Sequence, residues 1–197
     1  MEFRVVAIGC SWGGLDALGV LLGQIGPEID AAIVVAQHRP VDPHSGMARS
    51  IERRSSLPVR EAEDKETIEP GIVYLAPPDY HLLVEPGAFA LSTEAAVQFA
   101  RPSIDVLFES TARAYGDRGV GVILTGANDD GSKGVVEIKR HGGVVVVQDP
   151  ATAKRPEMPR AAVRAVAPDA ILALEEIGAY LHSICGPKRN ASEVRRG

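Results

Sequence analysis

The chain of 197 residues has few of the features that mark secreted, metal-binding or membrane-spanning proteins. Its two cysteines, Cys10 and Cys185, lie far apart and without the spacing of metal ligands, so neither a disulfide framework nor a zinc site is predicted. No apolar run reaches the roughly 18 to 20 residues of a membrane span, and MEFRVVAIGC lacks the basic start and long apolar centre of a signal peptide. We expect a cytoplasmic protein with no membrane insertion and with both thiols reduced.

An excess of basic residues is also absent. The formal net charge is −5. Because a protein that binds the phosphate backbone of a nucleic acid needs a basic face, we expect no nucleic-acid partner. Aromatic residues make up 5% of the chain, and Val, Ile, Leu and Ala must therefore build the core. The length favours a single domain, which we place at residues 1–185, followed by a polar, basic and frayed tail over residues 186–197.

Short β-branched runs alternate with helical patterns along most of the chain. RVVAIG, AAIVVAQ, VGVILTG and VVVVQD are separated by segments such as GGLDALGVLLGQI and GSKGVVEIKRHG, and VVVVQ is apolar on both faces, as strands covered by helices must be. The predicted fold is α/β: a doubly wound, mostly parallel sheet with helices on both faces. Between residues 57 and 92, short strands separated by Pro-Gly and Gly turns predict a small antiparallel hairpin at one edge. Pro102 and Ser103 open a helix that ends before Gly116.

The stretch AIGCSWGGLDAL, residues 7–18, places a serine among glycines where a strand gives way to a helix. A dinucleotide fingerprint would need a glycine at Ser11 and a carboxylate about 20 residues further on, but the next strand ends in Gln37 and His38. A phosphate-binding P-loop would need Lys and Ser or Thr after its last glycine, where the chain has Leu15 and Asp16. Both phosphate-binding interpretations are discarded.

The remaining pattern is Gly9-Cys10-Ser11-Trp12-Gly13, a G-x-S-x-G between a strand and a helix. It is typical of a nucleophile elbow, which lifts the serine oxygen above the carboxyl edge of the sheet. The start of the following helix would direct free backbone N–H groups to the same point, which suits an oxyanion. The simpler alternative is that Ser11 N-caps that helix. Cys10 should point into the sheet packing as a small buried thiol.

A serine nucleophile needs a base and an acid that orients the base. Reactive groups of an open parallel sheet collect beyond the carboxyl ends of its strands, and AAIVVAQ delivers His38 at that level, so His38 is the candidate base. By position alone, Asp129, Asp130 and Asp149 all stay candidates for the acid. Asp129 or Asp130 could instead cap the helix of GSKGVVEIKRHG. We expect structural or surface roles for the other histidines: His44, His81, His141 and His182.

Six segments together resemble the catalytic domain of the CheB-type chemotaxis receptor methylesterases. They are AIGCSWGGLDAL, VVAQHRP, REAEDKETIEPGIVYLAPPDYHL, RPSIDVLF, GVILTGANDDGSKG and MPRAA, which follow the family's order between residues 4 and 180. The resemblance implies a triad of Ser11, His38 and Asp130, because the family's acid is the aspartate before the glycine of its TG…DG segment. It also implies hydrolysis of γ-glutamyl methyl esters on the cytoplasmic helices of chemoreceptors, with release of methanol, and deamidation of receptor glutamines. No metal or organic cofactor is implied.

Four residues beside the implied site depart from the family's pattern. Trp12 stands where a small hydroxyl residue is usual, and Arg39 stands where Met or Leu is common. Ala127 and Asn128 replace the Met and Gly of a TGMG-type segment. From the helix start and the family's architecture, the backbone N–H groups of Trp12 and Ala127 are the oxyanion candidates. The Trp12 side chain is either a rim residue that contacts a substrate helix or a lid over Ser11.

Trp12, Arg39 and Arg101 are the candidate substrate-binding residues. The two arginines would pair either with glutamates around a receptor methylation site or with local acids of the protein. Family members usually carry an N-terminal phosphoacceptor domain, whereas this chain begins directly at the first strand of the catalytic domain. It is therefore either an excised fragment or, as its start at Met1 favours, a stand-alone esterase, and a separate signalling protein is among its candidate partners. Two rival functions are a hydrolase of other esters or amides on the same fold and a non-catalytic module that docks on receptors.

Overall fold

The structure, a computed structural model, describes residues 3–39 and 46–186, which form nine strands and six α-helices. The strands are β1 (Arg4–Cys10), β2 (Ala31–Gln37), β3 (Val59–Glu61), β4 (Val73–Leu75), β5 (His81–Glu85), β6 (Ala88–Ser92), β7 (Gly119–Ile123), β8 (Val144–Gln148) and β9 (Ala170–Leu172). The helices are α1 (Gly14–Leu22), α2 (Met47–Glu52), α3 (Ile104–Tyr115), α4 (Ser132–Arg140), α5 (Glu157–Ala165) and α6 (Leu174–Cys185). The expected tail lies outside the described residues from position 187 onward.

Seven of the strands form one parallel sheet in the order β3-β4-β2-β1-β7-β8-β9. Side chains alternate across it, so Val6 and Ile8 face a core completed by α1, α2 and α6. Val5 and Ala7 face a second core, completed by α3, α4 and α5. The predicted doubly wound sheet with helices on both faces is confirmed.

The segment between residues 57 and 92 contributes to two different sheets. β5 and β6 form the predicted antiparallel hairpin as a separate two-stranded sheet, which is attached to α3 by a 3.1 Å hydrogen bond from Val84 N–H to Ser110 Oγ. β3 and β4 instead pair in parallel at the edge of the main sheet. The Pro-Gly and Gly turns indicate correctly where these strands end. They do not indicate which strands pair in parallel, because pairing depends on long-range contacts.

The carboxyl end of β1 is the point where the chain order of the sheet reverses. β1 pairs with β2 on one side and with β7 on the other, and such a switch point opens a crevice beyond the strand ends. α3 comes very close to β1 here, because a Cβ at Gly9 would lie 2.3 Å from Ile104 Cγ2. None of the helices in the described ranges is both long enough and apolar enough to cross a membrane.

Replacing Gly9 by Ala should therefore destabilise the fold. The added methyl group overpacks the contact between β1 and α3, with an expected loss of about 1–3 kcal/mol in the free energy of unfolding, measured by urea titration. Gly121→Ala on β7 is the matched control, because its added Cβ would lie 3.3 Å from its nearest neighbour, an atom of Ile138. Equal losses in the two variants would contradict the close approach of α3 to β1.

Candidate functional site

Ser11 lies in the turn between β1 and α1, directly beyond the end of β1. Its N–H donates to Thr125 O at 3.0 Å, and its carbonyl accepts hydrogen bonds from Gly14 N at 2.8 Å and from Gln37 Nε2 at 3.0 Å. Gly13 is the N-cap of α1, with a φ of 82° that favours glycine, and α1 has no side-chain cap. The alternative that Ser11 caps the helix is therefore wrong, and its hydroxyl is available for other contacts.

Gln37 joins the ends of β1 and β2 through its side-chain amide. Nε2 donates to Ser11 O at 3.0 Å and to His38 O at 2.8 Å, while Oε1 accepts from Cys10 Sγ at 2.9 Å. Cys10 is fully buried, and burial raises the pKa of its thiol, so the predicted small buried thiol is confirmed. Cys185 is also free and buried, and burial raises the pKa of its thiol to about 11.

Asp130 follows β7 and holds the imidazole of His38. Its buried carboxylate accepts a 2.8 Å hydrogen bond at Oδ2 from His38 Nε2. The same carboxylate accepts backbone N–H bonds from Ile104 at 2.7 Å and from Asp105 at 3.0 Å, in the first turn of α3, and a 3.0 Å bond from Ser103 Oγ. Burial alone would raise the pKa of Asp130, but the bonds from His38, Ile104 and Asp105 offset it and lower the pKa below its ordinary value. The group is therefore a carboxylate at neutral pH.

The bond to Asp130 determines which nitrogen of His38 can act as a base. A carboxylate can only accept, so Nε2 carries the proton and Nδ1 holds the lone pair of neutral imidazole. Asn128 Nδ2 lies 3.3 Å from His38 Nδ1, and Asn128 Oδ1 is buried without a hydrogen-bond partner among the described residues. Ser11 Oγ has no hydrogen bond within residues 3–39 and 46–186, but Ser11 and His38 line the same cavity of about 420 Å³. The amide of Asn128 thus occupies the nitrogen that Ser11 would need.

The other candidate acids and the other histidines form no part of the contact between His38 and Asp130. Asp129 is exposed, and Asp149 Oδ1 accepts from Ala151 N at 2.9 Å in the turn after β8. His81 is buried, with Nδ1 accepting from Ser103 N at 3.2 Å. Structural contacts also hold His141, 2.9 Å from Glu137 O, and His182, 3.0 Å from Gly26 N, whereas His44 lies outside the described residues. Of the three candidate acids, Asp130 is the one bonded to His38.

The aspartates Asp105 and Asp130 cap the helices reciprocally. Asp130, just before α4, binds the first turn of α3, while Asp105 Oδ1 accepts from Lys133 N at 3.0 Å and Gly134 N at 2.8 Å in the first turn of α4. The alternative that Asp129 or Asp130 caps α4 is therefore wrong. Burial raises the pKa of Asp105 to about 6, and the neighbouring charge of Asp130 adds to the rise, while Oδ2 is buried and unpaired in the described part of the chain.

The two oxyanion candidates have free backbone donors. Neither Trp12 N nor Ala127 N has an acceptor in the part of the chain that the structure describes. Thr125 Oγ1 donates to Trp12 O at 3.0 Å and so fixes the orientation of that peptide. The Trp12 side chain is 61% exposed and lines the Ser11 cavity, with the guanidinium of Arg155 5.5 Å from the centre of its ring. This exposure favours the rim over the lid.

Both arginines proposed for substrate binding pair with acids of the protein itself. Arg39 Nη2 binds Glu61 Oε1 at 2.7 Å, and Arg101 binds Asp79 Oδ1 through Nε at 2.9 Å and also through Nη2. The local ion pairs that the sequence analysis left open are therefore present. Both arginines nevertheless line a second cavity of about 600 Å³, which His38 shares, so binding of substrate stays a prediction for them.

Three partners of the site were missed by the sequence analysis. Gln37 was considered only because a dinucleotide site would need a carboxylate there, and Ser103 only as the start of a helix. No role was predicted for Asp105. A serine that opens a helix is an N-cap signal, and Ser103 indeed N-caps α3, but its bond to Asp130 spans 27 residues of sequence. In the described ranges, no group of three or more His, Cys, Asp and Glu residues has the arrangement of a metal site.

Known proteins are similar to this chain in sequence and in fold over most of its length. The CheB methylesterase family model matches residues 6–181. A relative from Leptospira interrogans, provisionally named a protein-glutamate methylesterase/protein-glutamine glutaminase, is 44% identical over 90% of this chain and 92% of its own length. A protein-glutamate methylesterase/protein-glutamine glutaminase from Moorella thermoacetica is 41% identical over 88% of this chain and 42% of its own length. The crystal structure of the Thermotoga maritima CheB methylesterase catalytic domain has a TM-score of 0.89 and 32% identity, over 93% of this chain and 100% of that one.

Replacing Asp105 by Asn should remove a pH-dependent component of stability. The pKa of Asp105 in the fold, about 6, lies above the ordinary value of 3.8, so the protonated form favours the fold and stability falls as pH rises between these values. The slope for one proton approaches about 1.4 kcal/mol per pH unit. The unfolding free energy of the wild type relative to Asp105→Asn should therefore fall from about pH 4 to about pH 6 and then level off, as measured by urea titration at each pH.

The matched control is Asp169→Asn, where the opposite pH dependence is expected. Burial alone would raise the pKa of Asp169, but hydrogen bonds from Lys139 and from the Val145 N–H offset it and lower that pKa. Stability from Asp169 is therefore present above its ordinary pKa and is lost as pH falls below it. The same pH dependence in both comparisons would contradict the contrast between the two carboxylates.

Proposed function

Because the chain belongs to the CheB methylesterase family, we propose that it is a serine esterase that removes methyl groups from glutamate side chains of chemoreceptor helices. It releases methanol, and it also deamidates receptor glutamines to glutamate. Ser11 is the nucleophile, His38 the general base and Asp130 the acid that orients the base. No cofactor takes part.

The observation that carries this proposal is the 2.8 Å bond between His38 Nε2 and the buried carboxylate of Asp130, beside the cavity that contains Ser11. A buried aspartate bonded to one imidazole nitrogen holds the tautomer that leaves the other nitrogen basic, and it stabilises the imidazolium that forms during turnover. Here the basic nitrogen is Nδ1. A non-catalytic docking module would have no use for this arrangement.

Acylation begins when Asn128 releases His38 Nδ1. The Ser11 hydroxyl then transfers its proton to Nδ1 while Oγ attacks the ester carbonyl. The oxygen of the tetrahedral intermediate accepts hydrogen bonds from Trp12 N and Ala127 N, the two donors without an acceptor in the described part of the chain. As the C–O bond breaks, Nδ1 returns the proton to the methoxide, which leaves as methanol.

Deacylation repeats these steps with water as the nucleophile. His38 Nδ1 takes a proton from water, the hydroxide attacks the glutamyl-Ser11 ester, and Nδ1 returns the proton to Ser11 Oγ as the C–O bond breaks. The product is a glutamate side chain. A glutamine side chain follows the same route, except that the first leaving group is ammonia. A separate signalling protein stays a predicted partner.

Methyl-labelled chemoreceptor fragments, compared with a p-nitrophenyl ester, test the proposal against its rivals. Labelled methanol released by the wild type and lost in Ser11→Ala supports it. Hydrolysis of the p-nitrophenyl ester alone would instead favour a hydrolase of other esters or amides. Binding of the fragments without hydrolysis of either compound would favour a docking module.

Substitutions in the triad should lower turnover by amounts that separate the roles. Ser11→Ala and His38→Ala should each lower kcat by about 10⁶-fold and Asp130→Asn by about 10⁴-fold, measured by methanol release. Asp129→Asn is the control and should change kcat little, since Asp129 is exposed. Loss of activity in Asp129→Asn with retention in Asp130→Asn would refute the choice of acid.

Substitutions at Asn128 should reveal its competition with Ser11 for His38. Asn128→Ala removes a hydrogen bond worth about 1 kcal/mol, so kcat/KM for a small p-nitrophenyl ester should rise about fivefold. Asn128→Asp keeps the shape but presents a carboxylate to Nδ1, which favours imidazolium, so activity at neutral pH should fall and the acidic limb of the pH–rate profile should move to higher pH. A similar decrease in both variants, with no change in pH profile, would mean that Asn128 only supports the fold.

A further inference from the structure

Phe99 is the most exposed large apolar side chain among the described residues. It is fully exposed, whereas Trp12, the next in this order, is 61% exposed. Phe99 lies at the tip of a tight turn in which Val97 and Ala100 exchange two backbone hydrogen bonds, of 3.1 and 2.9 Å. Burying an aromatic ring is favourable, so its display at a turn tip needs a reason.

The backbone of this turn makes the exposure more notable. Gln98 and Phe99 have φ values of 48° and 64°, and a two-residue turn with positive φ at both central positions is ordinarily built from Asn and Gly. Neither residue is glycine, so the turn holds two side chains in the left-handed region. Strain of this kind is kept where the surrounding structure or a function requires it.

The position of the turn points to the reaction site. Phe99, Ala100 and Pro102 supply an apolar wall of the 600 Å³ cavity that also contains His38 and Asn128. His38 in turn lines the cavity of Ser11, so the two cavities meet at the imidazole. A cavity of this size suits a drug-sized ligand and is far larger than one glutamyl methyl ester requires. The cavity therefore has room for more of the substrate than its ester group.

We propose that Phe99 is a docking residue that packs against an apolar side chain of the substrate helix, on the same helix face as the glutamyl ester. Residues three or four apart lie on the same face of a helix. One face can thus present an ester to Ser11 and an apolar residue to Phe99. Phe99 would bind the helix without touching the reacting atoms. This inference rests on the proposed function and deepens it by naming a specificity contact.

The test measures docking and chemistry separately. Kinetics of methanol release from a methylated chemoreceptor fragment are compared with hydrolysis of a p-nitrophenyl ester for the wild type, Phe99→Ala, Phe99→Leu and Ile171→Ala. Ile171 is the matched control, because it is 46% exposed on β9 and lines neither cavity. Binding of the same fragment, labelled with a fluorophore, is measured by anisotropy in a Ser11→Ala background.

Phe99→Ala should raise KM and the dissociation constant for the fragment about tenfold, as for an aromatic anchor at an interface, with kcat and p-nitrophenyl ester hydrolysis unchanged. Phe99→Leu should retain most of the affinity, and Ile171→Ala all of it. Equal behaviour of Phe99→Ala and Ile171→Ala on the fragment would overturn the docking role and leave the esterase function intact. Loss of p-nitrophenyl ester hydrolysis in Phe99→Ala would also overturn it, because the residue would then support the reacting groups. Absence of methanol release by the wild type would remove the proposed function, and the docking role with it.

Discussion

The rest of the site depends on the hydrogen bonds that the carboxylate of Asp130 accepts. The carboxylate is fully buried, and it accepts hydrogen bonds from His38 and from the first turn of α3. A buried carboxylate without such donors would be protonated or would destabilise the fold. The helix start thus provides the donors that keep Asp130 charged, and the charged Asp130 orients His38. Asp105, in the first turn of α3, in turn caps α4. Hydrogen bonds therefore connect α3, α4 and the imidazole of His38.

Ser11 and His38 are brought together by hydrogen bonds to their backbone atoms rather than by a bond between their side chains. Gln37 donates to both of their carbonyls, and the Ser11 N–H donates to Thr125. These bonds connect the ends of β1, β2 and β7 at the switch point of the sheet, where an open parallel fold leaves a crevice. This arrangement, with Asn128 at Nδ1 of His38, places the proposed nucleophile and the proposed base in one cavity without a bond between them. Substrate binding would complete the pair.

The surface around this centre is divided between two cavities that share His38. Trp12 lies beside the one that contains Ser11, and Phe99 lies beside the other. Trp12 and Phe99 are the two most exposed aromatic side chains among the described residues, and exposed apolar groups around a polar centre are typical of a surface that receives another molecule. The proposed catalytic triad and the proposed docking contact therefore involve different residues.

The sequence by itself determined the parallel α/β architecture, the turn that carries Ser11 and the arrival of His38 at a strand end, because apolar periodicity and glycine spacing are local properties. It left Asp129, Asp130 and Asp149 equivalent by position, and the family resemblance was needed to choose among them. Tertiary structure decided the bond of Asp130 to His38, the bridging role of Gln37 and the capping of α4 by Asp105. Each of these three features includes a hydrogen bond between residues 26 to 92 positions apart in the chain. Only the packing of strands and helices brings such distant donors and acceptors within hydrogen-bond distance.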